Sequence, residues 1–459
     1  MEMENVYTRN LSEFAASCRF EQIPKNVVEH AKICLLDSLG CGLFGSTLPW
    51  PRILIEVLLA HDRESEASLL GSLKRCSVFN APLINGTMIH GFELDDLHKR
   101  SIVHPGSVVL PAALATTEWL GKIGGRDFLT AMIAGYEVGA RVGMAVGVPH
   151  LNMGWHPTGT SGTFGAAAAA GNLLRLSPDQ MVHALGTAGS QAAGLMASQY
   201  SSMVKRFHAG RASQSGVYGA FLAQKGFTGI ENILESTYGG FCSTTAPQYD
   251  LTVLDRGLGR VWETAIVGFK SYSACGSCHT TIDAMLEARK QIPSLAEIER
   301  IRFRTSTVTK NHVGWPYVPD SITTAQMNQF FCGAVTLLYR EAFVDQFTET
   351  AIRAPEVLAL ISKMESEADP AIDQRGQAFR HAMVAEVKLK DGRVLEVKKD
   401  HAKGSDAFPL TLEEVVEKFF RMATKVLSKE KADRLYRDVL RLDEMSDIQE
   451  LVKDLNPYL

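Results

Sequence analysis

Between residues 24 and 224 the sequence repeats apolar side chains at helical spacing, and much of this region is rich in Ala and Gly. In the stretch 24–45 the apolar face consists of Val27, Val28, Ala31, Leu35 and Leu36. The same periodicity recurs in 107–119, 127–146, 161–174, 178–196 and 211–224. Because small side chains let helix backbones approach closely, the sequence predicts a compact core of several packed helices.

The pattern changes near residue 265, where strand-like runs begin to alternate with helical ones. The strand-like runs are 301–308, Met383–Leu389 and 393–398. The last two flank Asp391-Gly392, a dipeptide that favours a tight hairpin turn. Helical stretches at 282–290 and 325–339 share this region. The sequence therefore predicts an α+β domain over residues 266–403.

The helical pattern returns at Leu412–Ala423 and Lys429–Leu440. A chain of 459 residues is longer than one hydrophobic core usually serves, which favours two domains. We therefore expect a mainly α fold in which 1–265 plus 404–459 form a large all-helical domain. The smaller α+β domain, 266–403, is expected to be inserted before the C-terminal helices.

The charge balance argues against nucleic acid as a partner, and the apolar runs argue against a membrane-spanning segment. Lys and Arg number 47 against 51 Asp and Glu, without a long run of one sign, so we expect neither nucleic acid nor an anionic membrane surface as a partner. The longest apolar stretches, such as 108–115 and 164–174, are too short to span a bilayer. Residues 1–10 show no apolar signal segment, so we expect a cytoplasmic protein whose eight cysteines are reduced thiols.

Four segments place cationic or acid–base side chains just before predicted helices. They are Glu93-Leu94-Asp95-Asp96-Leu97-His98 with His104-Pro105-Gly106-Ser107, Gly154-Trp155-His156-Pro157-Thr158, Met203-Val204-Lys205-Arg206-Phe207-His208, and 270–280. Helix N-termini attract anions, so these ends would form an anion-binding pocket if they converge. Such a pocket suits a substrate with several carboxylates and would stabilise an enolate or carbanion beside a carboxylate. The imidazoles are the natural proton donors or acceptors near neutral pH.

Each of these segments also has a purely structural interpretation. Glu93, Asp95 and Asp96 could form a solvent-facing cluster at a helix end. With His98 and His104 these acids could instead bind a metal, but the histidine spacing fits no zinc pattern, so we expect no metal site. The remaining groups could be structural when taken singly, with Lys205-Arg206 in a solvated loop, His156 in the core and His279 as a helix cap.

Two cofactor motifs occur outside the context that each one requires. Cys275-Gly276-Ser277-Cys278-His279 matches the C-x-x-C-H pattern of covalent haem attachment, which belongs to exported proteins. Gly40-Cys41-Gly42-Leu43-Phe44-Gly45 matches G-x-G-x-x-G but ends a predicted helix instead of following a strand. We therefore expect neither haem nor a nucleotide cofactor.

Over nearly the whole chain, and in order, the motifs resemble those of the MmgE/PrpD family. The resemblance is carried by His90-Gly91-Phe92-Glu93-Leu94-Asp95-Asp96, His104-Pro105-Gly106, Gly135-Tyr136-Glu137-Val138-Gly139, Gly154-Trp155-His156-Pro157-Thr158, Met203-Val204-Lys205-Arg206, Tyr238-Gly239-Gly240-Phe241, and Gly314-Trp315-Pro316 with Ala325-Gln326-Met327. The family includes 2-methylcitrate dehydratase, cis-aconitate decarboxylase and iminodisuccinate epimerase. The resemblance implies a homodimer with a cofactor-free site between the helical domain and an α+β lid.

The resemblance also implies roles for individual residues. Those expected to be catalytic are His104, His156, Lys205 and Glu93. Those expected to bind substrate are Asp96, Lys270, Cys275, His279 and Tyr317. Leu97, Ser271 and Cys275 stand where animal cis-aconitate decarboxylases have Thr, Arg and His, and the motifs are closer to those of the fungal enzymes.

The expected function is that of a cofactor-independent lyase acting on a small di- or tricarboxylate. The reaction that the resemblance favours is decarboxylation of cis-aconitate to itaconate. Dehydration of a 2-methylcitrate-like acid and epimerisation of a dicarboxylate remain alternatives, because all three reactions share an enolate-like intermediate. A non-catalytic carboxylate-binding protein on the same fold is the alternative outside the enzymes.

Overall fold

The computed structural model describes residues 6–456, and α-helices make up most of this part of the chain. The helices of the N-terminal part are α1 Tyr7–Ser17, α2 Lys25–Gly45, α3 Pro49–Leu59, α4 Asn80–Ile89, α5 Gly106–Leu120, α6 Gly125–Asn152, α7 Pro157–Thr160, α8 Gly162–Leu173, α9 Pro178–Gly189, α10 Val204–Gln224 and α11 Phe241–Thr245. A short antiparallel pair, β1 Ala67–Ser68 and β2 Arg75–Cys76, lies between α3 and α4.

Helix α8 is a packing centre of this helical part, and every one of its residues is buried. Helices α5, α6 and α10 all pack against it. Gly135 of α6 and Gly165 of α8 meet so closely that a Cβ on either would lie 2.7 Å from the other's carbonyl oxygen. The close approach of small-residue helices that the sequence predicted is thereby confirmed.

All six predicted N-terminal helices are present, and three of them have clearly different ends. Helix α9 stops at Gly189, whereas the prediction continued to 196. Helix α10 begins at Val204, seven residues before its predicted start, so Lys205 and Arg206 lie in its first turn rather than in front of it. The prediction for α6 ended at 146, and the helix kinks at the next residue, Gly147, whose φ is +46°.

The C-terminal part combines helices with a four-stranded sheet. Its helices are α12 His279–Arg289, α13 Thr307–Val313, α14 Ile322–Gln326, α15 Gln329–Tyr339, α16 Pro355–Ile361, α17 Pro370–Asp373, α18 Leu412–Ala423, α19 Lys429–Leu440 and α20 Gln449–Asp454. Its strands are β3 Ile298–Thr305, β4 Met364–Ala368, β5 Met383–Leu389 and β6 Val394–Lys399. The predicted helix 325–339 is divided, because α14 ends at Gln326 and Asn328 caps the start of α15.

The strand order in this sheet is β4-β3-β5-β6. Strand β3 runs antiparallel to β5, with Phe303 opposite Ala385, and parallel to β4. The predicted hairpin is confirmed, since β5 and β6 pair antiparallel around Asp391-Gly392 and Gly392 has a φ of +89°. Helix α12 packs against β5 and β6, and the alternating side chains Ile301, Phe303 and Thr305 are fully buried.

After the sheet the chain returns to the helical part, where α18 and α19 both pack against α2. The sheet lies between residues 298 and 399, inside the segment predicted to be α+β, while the domain boundaries at 265/266 and 403/404 stay predictions. Among the described residues no single helix is long and apolar enough to cross a membrane, although the bent pair α2 and α3 would pass by length and composition.

Candidate active site

A cavity is lined by side chains from both parts of the chain. Glu93, His104, His156 and Lys205 line it from the N-terminal part, and Lys270 and Cys275 line it from the later part. These six residues come from all four segments that the sequence placed at helix starts. The segments therefore converge on one cavity, as an anion-binding pocket requires.

The charged centre of the cavity is the carboxylate of Glu93, which is buried among three cations. Lys205 Nζ and Arg206 Nη1 both contact Oε1, and Lys270 Nζ lies 2.7 Å from Oε2. Burial alone would raise the pKa of Glu93, but the three cations hold it well below its usual value of 4.5. Three positive groups around one negative group leave a net positive charge, so the cluster attracts a further anion.

Backbone strain accompanies this cluster. Four non-glycine residues in 6–456 have positive φ, and two of them, Glu93 at +56° and Ile102 at +58°, line the cavity. A β-branched residue such as Ile102 adopts this conformation only when its surroundings enforce it. Strain of this kind is found where a fold holds functional groups in place.

His104 presents a neutral imidazole to the cavity. Its Nδ1 lies 2.7 Å from the carbonyl oxygen of Asp96, and because a carbonyl only accepts, Nδ1 carries the proton. Its Nε2 has no hydrogen-bond partner within 6–456 and is therefore an available proton acceptor. Burial lowers the pKa of His104 to about 3, with the carboxylate of Asp95 offsetting only part of the effect.

Four imidazoles form a row, of which His104 and His156 line the cavity. The ring of His90 lies 4.9 Å from that of His104 and 5.4 Å from that of His156, centroid to centroid. His156 Nδ1 in turn lies 3.1 Å from Nδ1 of His208, so one of these two rings donates to the other. Burial, followed by the charge of Lys205, lowers the pKa of His156 well below 6.5. Burial also lowers the pKa of His90, and lowers that of His208 to about 4, so the row rests in the neutral state.

Cys275 and His312 form a cysteine–histidine pair on the cavity wall. Sγ lies 3.9 Å from Nδ1 of His312, which also contacts the hydroxyl of Ser277 at 3.1 Å. Burial would raise the pKa of the Cys275 thiol, but the imidazole more than offsets this and lowers it to about 7. Cys275 is the first cysteine of the segment whose spacing resembles a haem motif, and it forms no disulfide bond within 6–456.

His90, Asp95 and His104 could hold a metal ion by geometry, since one donor atom from each lies within 4.8 Å of the others. His90 Nδ1 already bonds Asp95 Oδ2 at 2.7 Å, while His90 Nε2 and Asp95 Oδ1 are buried and find no hydrogen-bond partner among residues 6–456. His98 belongs elsewhere, because its Nε2 contacts Glu263 at 3.0 Å. The expectation of a metal-free site stays a prediction.

Three of the expected substrate-binding residues lie outside this cavity. Asp96 uses both oxygens inside the helical part, where they accept from Tyr136 and from the backbone of Gly106 at 2.8 and 2.9 Å. His279 donates from Nε2 to Ala274 O at 3.1 Å and borders a neighbouring pocket that also contains Lys270. The Tyr317 hydroxyl donates to Ile352 O at 2.9 Å, and its ring packs on Phe331. The carboxylate of Asp96, Nε2 of His279 and the hydroxyl of Tyr317 are therefore already bonded within the protein.

Several side chains in or beside the cavity were not assigned to the site from the sequence. Arg206 was singled out with Lys205 but not assigned to the site, and His90 was noted only within a family motif. His312, Arg380 and His381 line the cavity as well. Arg380 and His381 are consecutive residues just before β5. No local sequence pattern identifies them as cavity residues, because only the fold of the chain brings them to the cavity.

A mostly helical fold with a positively charged, imidazole-lined cavity is suited to acid–base chemistry on anions. Several known proteins are similar to the chain in sequence. Residues 9–253 match the MmgE/PrpD N-terminal domain and residues 272–443 match the MmgE/PrpD C-terminal domain. The chain is 34% identical to the cis-aconitate decarboxylase-like protein oryM of Aspergillus oryzae, over 98% of this chain and 97% of that protein.

Two further relatives carry the name cis-aconitate decarboxylase. The one from Aspergillus terreus is 31% identical over 98% of this chain and 96% of its own length. The one from Homo sapiens is 30% identical over 92% and 88%. The chain therefore belongs to the MmgE/PrpD family. It is a lyase, which closes the alternative of a non-catalytic binding protein.

Proposed function

We propose that this chain decarboxylates cis-aconitate, or a closely related tricarboxylate, to itaconate and CO₂ without a cofactor. The observation that carries the proposal is the net positive Glu93 cluster beside the neutral imidazoles of His104 and His156 in one cavity. The cis-aconitate decarboxylases among the relatives support the choice of reaction.

In this proposal the cations bind the substrate and Glu93 keeps them in place. Lys205 and Lys270 both line the cavity, so a substrate carboxylate can share them with Glu93. A polyanionic substrate then balances the excess positive charge of the cluster. Because the cluster is buried, its positive charge acts on the substrate with little screening by water.

The chemical step needs no redox partner. The C–C bond to one carboxylate breaks, CO₂ leaves, and the electron pair stays on carbon. In cis-aconitate this pair spreads through the adjacent double bond towards a remaining carboxylate, which the cations stabilise. Protonation at the far end of the allyl system then gives the methylene double bond of itaconate.

His104 is the proposed proton donor in this step, with His156 beside it. Since burial keeps His104 neutral in the free protein, it must first gain a proton. A bound polyanion next to the imidazole favours the imidazolium form and raises its pKa. Asp95, whose Oδ1 lies 3.4 Å from Nδ1, supports the same charge.

The proposal is tested by incubating the purified protein with cis-aconitate and following itaconate and CO₂ by NMR and gas analysis. 2-Methylcitrate is offered in parallel, since release of water from it would instead identify a dehydratase. We expect itaconate to form, and the His104→Gln variant to bind substrate but lose at least a hundredfold in turnover. A folded wild-type protein that leaves cis-aconitate unchanged contradicts the proposal.

We also propose that the protein is a homodimer, as the family resemblance implies. Light scattering coupled to size-exclusion chromatography tests this directly. A mass near 100 kDa is expected, twice the 50.2 kDa of one chain, and a mass of one chain across the working concentration range contradicts it.

A further inference from the structure

Arg380 is a further cation of the cavity. It is buried, with 9% of its surface exposed, and lines the same cavity as His104 and Lys205. No Asp or Glu in residues 6–456 forms an ion pair with it. Asp406 and Cys275 act on it only from a distance, and burial lowers the pKa of the guanidinium to about 10. A buried cation of this kind is costly unless an anion joins it.

The surrounding structure holds Arg380 in position. Its carbonyl oxygen accepts from the hydroxyls of Ser306 at 2.5 Å and Thr309 at 2.7 Å. Nη2 donates to the carbonyl oxygen of Lys99 at 2.8 Å, and Nε donates to Nε2 of His381 at 3.3 Å. Nη1 has no partner within 6–456, so one edge of a fixed guanidinium is left for a ligand.

The other cations of the cavity differ in this respect. Lys205, Arg206 and Lys270 all share the carboxylate of Glu93. The groups that bond the guanidinium of Arg380 are uncharged instead: one is a backbone carbonyl, and the other is His381, whose pKa burial and the guanidinium itself hold well below 6.5. The hydroxyl of Ser277 lies 3.4 Å from His381 Nε2 and can also turn towards a ligand.

We propose that Arg380 is a substrate-binding residue that holds one carboxylate of the substrate, at a point of the cavity separate from the Glu93 cluster. A fixed guanidinium with free N–H groups binds a carboxylate better than an ammonium does. Two separate cationic points in one cavity match a substrate whose carboxylates stand on different carbons. This inference rests on the proposed function, because it assigns one carboxylate of that substrate.

The carboxylate at Arg380 is one that the product retains. A carboxylate that departs as CO₂ loses its charge in the transition state, so an ion pair to it would stabilise the substrate more than the transition state. A retained carboxylate keeps its charge throughout the reaction. Pairing it with Arg380 fixes the substrate without opposing bond cleavage.

The experiment measures binding of two unreactive ligands by calorimetry. Tricarballylate is the saturated tricarboxylate, and methylsuccinate carries only the two carboxylates that itaconate retains. The variants are Arg380→Gln, Arg380→Lys and the control Arg375→Gln, which removes an arginine of the same loop that pairs with Asp400 on the surface. Thermal unfolding of each variant shows whether the fold is kept.

We expect Arg380→Gln to lower the affinity for both ligands at least tenfold and by similar factors. Arg380→Lys should lower these affinities less, and Arg375→Gln should leave them within twofold of wild type. A change below twofold in both Arg380 variants overturns the inference, and Arg380→Lys decides alone if Arg380→Gln does not fold. A loss confined to tricarballylate also overturns it, since Arg380 would then hold the departing carboxylate.

Failure of the proposed function gives a different result. A wild-type protein that binds neither ligand and leaves cis-aconitate unchanged contradicts both proposals. A wild-type protein that converts cis-aconitate, combined with unchanged affinities in the Arg380 variants, contradicts only the inference about Arg380.

Discussion

The ammonium of Lys270 lies 2.7 Å from Oε2 of Glu93 and thereby joins the chain segment leading into α12 to the helical part of the molecule. Lys205 and Arg206 hold the other oxygen of the same carboxylate. The cavity is thus assembled around a buried anion that belongs to the protein. Glu93 has two effects, since it keeps the cations together and leaves them short of full neutralisation.

Replacing Glu93 by Gln should destabilise the protein. The change leaves three cations near one another without their shared carboxylate, and breaking a buried pair costs about 3–5 kcal/mol. Glu349→Gln is the matched control, because its partner Arg353 is half exposed and such pairs contribute at most about 1 kcal/mol. Urea unfolding at pH 7 measures both, and equal losses in the two variants would contradict the central role of Glu93.

The effect of Glu93→Gln on the free energy of unfolding should depend on pH. The pKa of Glu93 is depressed below 4.5 in the folded state, so its contribution to stability is complete above pH 4.5 and declines as the pH falls below that value. The difference in unfolding free energy between wild type and Glu93→Gln should therefore be largest at neutral pH. It should shrink in acid, and a difference that grows below pH 4.5 would have the wrong sign.

Binding of a polycarboxylate should draw a proton onto His104. The free imidazole has a pKa of about 3 and is neutral at pH 7.5, whereas a bound trianion raises that pKa. Calorimetry with tricarballylate in buffers of different ionisation enthalpy should show uptake of up to about one proton per site. His104→Gln should abolish most of the uptake, and the exposed His61→Gln should not. Identical heats in all buffers would refute this protonation step.

Removal of metal ions should leave turnover unchanged. The three donors of His90, Asp95 and His104 lie close together, but Nδ1 of His90 is bonded to Asp95 and Nδ1 of His104 to a backbone carbonyl. We expect less than about 0.1 metal ion per chain by elemental analysis and full activity after dialysis against a chelator. Activity that is lost on chelation and restored by one particular ion would establish a metal site instead.

Gly45 should tolerate no side chain, although its motif resembles a dinucleotide-binding loop. A Cβ at this position of α2 would lie 1.9 Å from the carbonyl oxygen of Met88 in α4, so Gly45→Ala forces two helices apart. Overpacking costs about 1–3 kcal/mol. Gly139→Ala in α6 is the control, since its nearest contact is 3.4 Å. A Gly45→Ala protein as stable as the control would contradict this packing role.

The sequence predicted the amphipathic and small-residue helices because their periodicity is local. It missed α4, in which every residue from Ala81 to Ile89 is buried, so that no polar face marks the helix. It also missed β4, an acidic edge strand that is half exposed along its length. Elements of these two kinds are defined by their neighbours in space, and a single sequence carries no local pattern for them.

Prediction of the site met the same limit. Residues at helix starts, such as His156 and Lys205, were found because a helix N-terminus has a local pattern and a known electrostatic effect. Arg380 comes from a loop between α17 and β5, and only the sheet topology carries it to the cavity. Asp96 illustrates the opposite case. It lies in a motif from which we predicted a substrate-binding residue, but its carboxylate already accepts a hydrogen bond from Tyr136.

Cys275 should be the cysteine that alkylating reagents modify first. Its thiol has a pKa of about 7 beside His312 and lines the cavity, whereas burial raises the pKa of Cys18, Cys76 and Cys242 to about 12. Iodoacetamide at pH 7.5 should therefore label Cys275 selectively, as peptide mapping by mass spectrometry would detect. Tricarballylate, by filling the cavity, should slow the labelling.

We attribute the low pKa of Cys275 to His312. In His312→Gln the thiol loses the imidazole while burial still opposes the thiolate, so its pKa should rise above 9 and labelling at pH 7.5 should slow at least tenfold. Raising the pH should restore much of the rate in that variant, because the thiolate then forms without the imidazole. Labelling of another cysteine first, or an unchanged rate in His312→Gln, would show that the pair does not activate the thiol.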